Sequence, residues 1–244
     1  MSIDETAAQS LDVAMAVALE HETLGNWQAT IEQLDSHLST QPKNPDFYLR
    51  LANALRAEKD SDRAQSVLDT GLDICASPRM FIMKGKLLRD KGRYENAIEC
   101  YNKAIELNLN FAEAYCQKGI VLDLLGETDS AISAYNEALR LDRENGLYWL
   151  CAAKADFAQN NPSSAKEKLE KAKNALNARQ TENHHYNMAC IESLLGNIDL
   201  AVGHFENFLS NHPFAFSWAE QDSDLAPIRN HPRMKFLKEK YRQG

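Results

Sequence analysis

Residues 78–111 read PRMFIMKGKLLRDKGRYENAIECYNKAIELNLNF, and residues 112–145 read AEAYCQKGIVLDLLGETDSAISAYNEALRLDREN. The two stretches are each 34 residues long and align without a gap. Phe81, Gly85, Leu88, Gly92, Ala97, Tyr101 and Ala104 of the first meet Tyr115, Gly119, Leu122, Gly126, Ala131, Tyr135 and Ala138 of the second. Internal repetition at this period predicts paired helices stacked one after another.

The spacing carries its own physical reason. Phe81, Lys84, Gly85 and Leu88 stand at i, i+3, i+4 and i+7, which places them on one face of a helix. Ala97, Tyr101 and Ala104 do the same for a second helix, and Ile98 and Ile105 widen its apolar stripe. Lys91-Gly92-Arg93 lies between them, where glycine suits the end of a helix. Gly85, Ala97 and Ala104 are small where helices must approach closely, and a larger side chain there would overpack.

These residues resemble the tetratricopeptide repeat, a helix–turn–helix unit. The resemblance implies an all-α fold: a right-handed superhelical solenoid of antiparallel helix pairs, whose first helices line a groove that holds a segment of a partner protein.

Working outward, the pattern extends in both directions. Residues 1–10 are polar and are expected to be a flexible start. Six repeats are then expected at about 11–44, 45–77, 78–111, 112–145, 146–181 and 182–215. In the first, Ala18, Gly25, Trp27, Leu34 and Pro42 fit, while Thr30 and His37 stand where alanine is usual. In the second, Lys59-Asp60-Ser61 replaces the glycine turn, and Asp60 or Ser61 is placed to cap the next helix. Pro78 is placed to open the third repeat. Asn160-Asn161-Pro162 makes the turn of the fifth, and Leu194-Leu195-Gly196 that of the sixth. From 216 to 244 the period is lost. Trp218, then Asp224-Leu225-Ala226-Pro227-Ile228-Arg229, then a helix from Arg233 to Arg242 resemble the tail that follows the last repeat in many bacterial repeat proteins. Its expected role is to cover the apolar end of one continuous core.

The formal net charge of −8 disfavours nucleic acid as a partner. The charge is uneven. Residues 1–44 hold seven acidic side chains against Lys43 alone, whereas residues 78–111 hold seven basic against four acidic. Five cysteines without C-x-x-C spacing point to reduced thiols in a cytoplasmic protein, and not to a disulfide scaffold or a zinc module. Val13–Leu19, the longest apolar run, is too short to cross a membrane. No secretory leader is evident.

No phosphate-binding glycine loop, nucleophile motif or H-E-x-x-H sequence is present, so no catalytic residue, no cofactor and no metal is assigned. His184 and His185 are adjacent, and side chains of neighbouring helical residues diverge by about 100°. They are therefore read as surface or groove-lining histidines, along with His204 and His212.

The resemblance places a binding face on the first helices. Carried onto this sequence, the expected peptide-binding residues are Arg50, Asn53 and Arg56, then Arg79, Ile82, Met83, Lys86 and Arg89, then Gln117 and Ile120, with Lys154 and Asn187 further on. Leu49 and Glu113 share that face. Five cations from two neighbouring helices suit a partner with Asp, Glu or a free carboxylate, because guanidinium groups engage carboxylates through paired hydrogen bonds. Asp46 and Asp90 are candidate internal partners. The fixed Lys/Asn/Asn/Lys/Arg set that grips the acidic ends of heat-shock chaperones is not reproduced, since Met15, Leu19, Arg50, Arg79 and Met83 stand in the corresponding places. The expectation is a non-enzymatic scaffold or adaptor. The alternative is a chaperone for secreted or assembly subunits that grips apolar segments, and self-association through an end of the stack stands beside both.

Overall fold

The computed structural model describes residues 3–179, 183–219 and 221–241. Four expectations fall outside the described residues: the frayed start at 1–2, the join at 180–182, the side chain of Trp218, and Arg242 of the final helix. Fourteen α-helices, two short 3-10 segments and no strand occur among the described residues. The helices are α1 (Ile3–Thr23), α2 (Trp27–Leu38), α3 (Pro45–Ala57), α4 (Ser61–Cys75), α5 (Pro78–Asp90), α6 (Tyr94–Leu107), α7 (Ala112–Leu124), α8 (Thr128–Leu141), α9 (Gly146–Ala158), α10 (Pro162–Ala178), α11 (His184–Leu195), α12 (Ile198–Asn211), α13 (Phe216–Ala219) and α14 (Pro232–Tyr241). None is long and apolar enough to cross a membrane.

Helices pack in tandem pairs: α1 on α2, α3 on α4, α5 on α6, α9 on α10 and α11 on α12. The turns of these five pairs, and the turn between α7 and α8, each pass through a residue with positive φ. Gly25, Gly92, Gly126 and Gly196 supply it at four turns, while Lys59 (φ 64°) and Asn160 (φ 56°) take it at the two turns that lack glycine. Side-chain caps open several helices. Asp60 accepts from Arg63 N at 3.1 Å and thereby starts α4, while Ser77 accepts from Met80 N ahead of Pro78 in α5.

The chain divides into two compact units, Met1–Val121 and Leu122–Gly244. In the first, Leu34, Phe47, Tyr48, Leu51, Leu55 and Leu68 are fully buried, and the Phe47 and Tyr48 rings meet edge to face at 5.1 Å. Tyrosine-over-glycine contacts set the closest helix approaches. A Cβ on Gly71 of α4 would lie 2.5 Å from Tyr48 Cγ of α3, and one on Gly85 of α5 would lie 2.4 Å from Tyr101 Cε1 of α6. The same knob and hole recur with the two helices exchanging roles.

In the second unit, Leu150, Ala153, Leu169, Ala172, Met188 and Ile191 form one core cluster. Another joins Ala189, Phe205 and Phe208 to Phe216, Leu225, Ile228, Met234 and Leu237 of the last segment. That segment thus closes the apolar end of α11 and α12, because its Leu225 and Ile228 have no exposed surface left. Cys100, Cys116 and Cys190 are buried and Cys75 and Cys151 half-buried, and none of the five is in a disulfide.

Candidate functional site

In the first unit, Arg79, Met83 and Lys86 repeat at helical spacing along one face of α5, beside Arg50 and Asn53 of α3. Two adjoining concavities open there. One, of about 360 Å³, is lined by Glu22, Asp46, Leu49, Arg50, Asn53, Arg79 and Met83. The other, of about 160 Å³, is lined by Leu49, Arg79, Ile82, Met83, Lys86 and Glu113. Leu49 and Ile82 are buried in the floor, while the charged groups form the walls.

The cations in these walls already have partners. Arg50 donates to Glu22 of α1. Arg79 reaches Asp46 at 2.8 Å, Lys86 reaches Glu113 at 2.7 Å, and Arg89 holds both Asp90 at 2.8 Å and Gln117 at 3.0 Å. Arg56 donates to Asn53 at 3.3 Å. The face is therefore charge-balanced, not simply basic. Burial raises the Glu22 carboxyl above its ordinary range, and the nearby Arg50 guanidinium only partly offsets this. Glu22 Oε1 and Arg50 Nε are both buried without a hydrogen-bond partner.

The structure thus gathers Arg50, Asn53, Arg79, Ile82, Met83 and Lys86 around one pair of concavities. Arg89 and Gln117 bond each other beside them, Arg56 bonds Asn53, and Ile120 is half-buried on α7. Lys154 and Asn187 belong to the second unit. Sequence reasoning missed Glu22. The signal available was the acidic excess before residue 45, about one repeat ahead of the cations it balances.

Lys154, also expected among the peptide-binding residues, has a partner within the chain. Its Nζ lies 2.8 Å from Asp224 Oδ2. Tyr186 donates to Asp222, and the Cys190 thiol and the two carboxylates lie within 4.8 Å of one another. Burial raises the Cys190 thiol well above its ordinary value, and Asp224 and Asp222 add to the effect. Burial opposes the charge on Lys154, but Asp224 outweighs it, so Lys154 remains protonated. This cluster fastens the 3-10 segment Ser223–Ile228 against α11 and α9. His184, read from the sequence as a surface or groove-lining histidine, is buried at 9% exposed. The packing of α12 on α11 covers it.

Family models for the repeat match twice in sequence: "TPR repeat" over residues 85–126 and "Tetratricopeptide repeat" over 112–145. No curated protein matches the chain. Solved structures of the same fold include MamA, at 21% identity and a TM-score of 0.57, covering 70% of this chain and 93% of that one. MamA from Desulfovibrio magneticus RS-1 gives 18% and 0.59, covering 70% and 98%. YrrB, described as "a TPR protein with an unusual peptide-binding site", gives 21% and 0.52, covering 69% and 91%. At such identities the likeness is one of fold: the chain shares the helix-pair solenoid of these structures and carries tetratricopeptide repeats that the family models match over residues 85–145.

Proposed function

We propose that the chain is a non-enzymatic scaffold or adaptor of the cytoplasm, and that the face formed by α3 and α5 captures a partner peptide or helix bearing acidic and aliphatic side chains. The observation that carries this reading is the 360 Å³ concavity, whose walls hold two cations and two buried polar atoms without partners. A ligand carboxylate or amide entering there satisfies Arg50 Nε or Glu22 Oε1, and each such group costs about 1–3 kcal/mol while unmet.

Exchange of partners is cheap at the rim. The Arg79–Asp46 pair is 67% and 62% exposed, and ion pairs so exposed are worth about 0–1 kcal/mol. An incoming carboxylate can replace Asp46 on Arg79 while an aliphatic side chain lies over Met83 and the Leu49–Ile82 floor. The described apolar surface here is small, which favours the acidic-peptide reading over that of a chaperone for apolar segments. The peptide-binding site described for YrrB is consistent with peptide capture by this fold.

The test is fluorescence anisotropy with three labelled peptides of one length: Asp/Glu–Leu, Asn/Gln–Leu and Lys–Leu. The expected result is binding of the acidic peptide alone, weakening with salt, and lost in Arg79→Glu/Lys86→Glu while the circular dichroism spectrum is unchanged. Equal binding by the double variant, or binding of none of the three, overturns the reading.

A further inference from the structure

Helix α1 leaves a row of apolar side chains in solvent. Val13, Leu19 and Leu24 are 63%, 50% and 77% exposed, and Ala16 is exposed as well. At about 100° per residue, Asp12, Val13, Ala16, Leu19 and Glu20 share about a third of the helix circumference. Ala16 is the low point of this strip, with Val13 and Leu19 on either side and exposed Asp12 and Glu20 one turn before and after it. The helix carries five acidic residues and no lysine or arginine. Single exposed apolar side chains need no explanation, but a contiguous row of them marks a contact surface.

Helix α14 is its counterpart in charge, with four basic residues and one acidic. Met234 and Leu237 turn into the core, while Phe236 stands 59% exposed on the opposite side. Arg233, Lys235 and Lys240 are exposed around it. Arg233 donates to Glu206 through one of its five N–H groups, so donors remain for a second carboxylate. Lys240 lies 4.9 Å over the Tyr241 ring, and Lys235 has no partner among the described residues.

We propose that the chain self-associates head to tail, with α1 of one copy docking on α14 of the next. Phe236 seats over Ala16 between Val13 and Leu19, and the cations around it meet Asp12 and Glu20. The spacing agrees: Asp12 and Glu20 are about 12 Å apart along α1, and Arg233 and Lys240 about 10.5 Å apart along α14. Two anions flanking a shallow apolar seat thus face two cations flanking an aromatic ring. Pairing α1 with α1, or α14 with α14, would set like charges against each other across the contact. Unlike faces must therefore meet, which builds a ring where the rotation closes and a filament where it does not. The contact uses neither Arg79 nor Lys86, so it stands or falls separately from peptide capture.

The test is sedimentation velocity of the full chain over a range of concentrations, at low and high sodium chloride. The expected result is a sedimentation coefficient that rises with concentration and falls toward the monomer value as salt is added. Asp12→Lys/Glu20→Lys and Lys235→Glu/Lys240→Glu should each sediment as monomers with an unchanged circular dichroism spectrum, and Phe236→Ser should lose association too. An equimolar mixture of the two charge variants should associate again, because each supplies the charge the other lacks. Arg79→Glu/Lys86→Glu should associate as the wild type does. A wild-type chain that stays monomeric, charge variants that associate alone, a mixture that stays monomeric, or loss of association in the Arg79/Lys86 variant overturns the proposal.

Discussion

Lys154 Nζ lies 2.8 Å from Asp224 Oδ2, tying helix α9 to a residue 70 positions further along the chain. Asp224 is 7% exposed, so the carboxylate depends on this partner more than the half-exposed lysine does. Lys154→Met keeps the aliphatic stem and removes the charge. It should cost about 1–3 kcal/mol in urea unfolding, and proteases should cleave near Ser223–Ile228 sooner than in the wild type.

Gly71→Ala and Gly85→Ala each drive a methyl group into a fully buried tyrosine ring. Each should lose about 1–3 kcal/mol by the same measurement. Shrinking the knob should restore part of the loss, so Gly85→Ala/Tyr101→Leu should be less destabilised than the sum of its single changes.

Lys59 holds a left-handed conformation at φ 64° in a turn where four other pairs use glycine. Lys59→Gly removes a side-chain clash costing about 1–2 kcal/mol but adds backbone freedom to the unfolded chain. The expected net gain is about 0.5–1 kcal/mol, seen as a higher urea midpoint. Asn160→Gly should gain less, because asparagine tolerates this region better.

Glu192 predicts an acid limb in the stability curve. Burial works against its charge, but hydrogen bonds from Lys173 and Asn197 outweigh that and lower its titration below the ordinary 4.5. A depressed carboxyl adds stability that is present above its unfolded value and lost as pH falls through its folded value. The loss therefore falls below about pH 4.5. Melting temperature followed from neutral into acid should fall less steeply there in Glu192→Gln than in the wild type.

Removing the internal competitors at the peptide face should strengthen capture. Asp46→Asn/Glu113→Gln frees Arg79 and Lys86 at rim pairs worth at most about 1 kcal/mol each. Anisotropy with the acidic peptide should show severalfold tighter binding. Unchanged affinity would mean that the peptide does not contact Arg79 or Lys86.

Helix pairing was legible because Phe81, Gly85, Tyr101 and their counterparts recur at fixed offsets, and packing at close approaches leaves little choice of residue. Asp60 as a cap and Pro78 as a helix opener were legible because those effects act within one turn. The charge partners were harder to read. Glu22 meets Arg50 across 28 positions, a distance that single-helix spacing does not address. The Lys154–Asp224 pair was hidden because the last segment has no period, so nothing in the sequence announced that Asp224 would return to α9. The contact between His185 and His204, whose Nδ1 atoms lie 3.1 Å apart, was hidden for a related reason, since it forms only through the packing of α12 on α11.

The ties along the face of α3 and α5 run from one first helix to the next: Arg50 to Glu22 joins α3 to α1, Arg79 to Asp46 joins α5 to α3, and Lys86 to Glu113 joins α5 to α7. They act as lacing between neighbouring rungs. A guest that takes over these same groups must undo the lacing as it docks, so occupancy and the elastic softness of this half of the protein are mechanically linked.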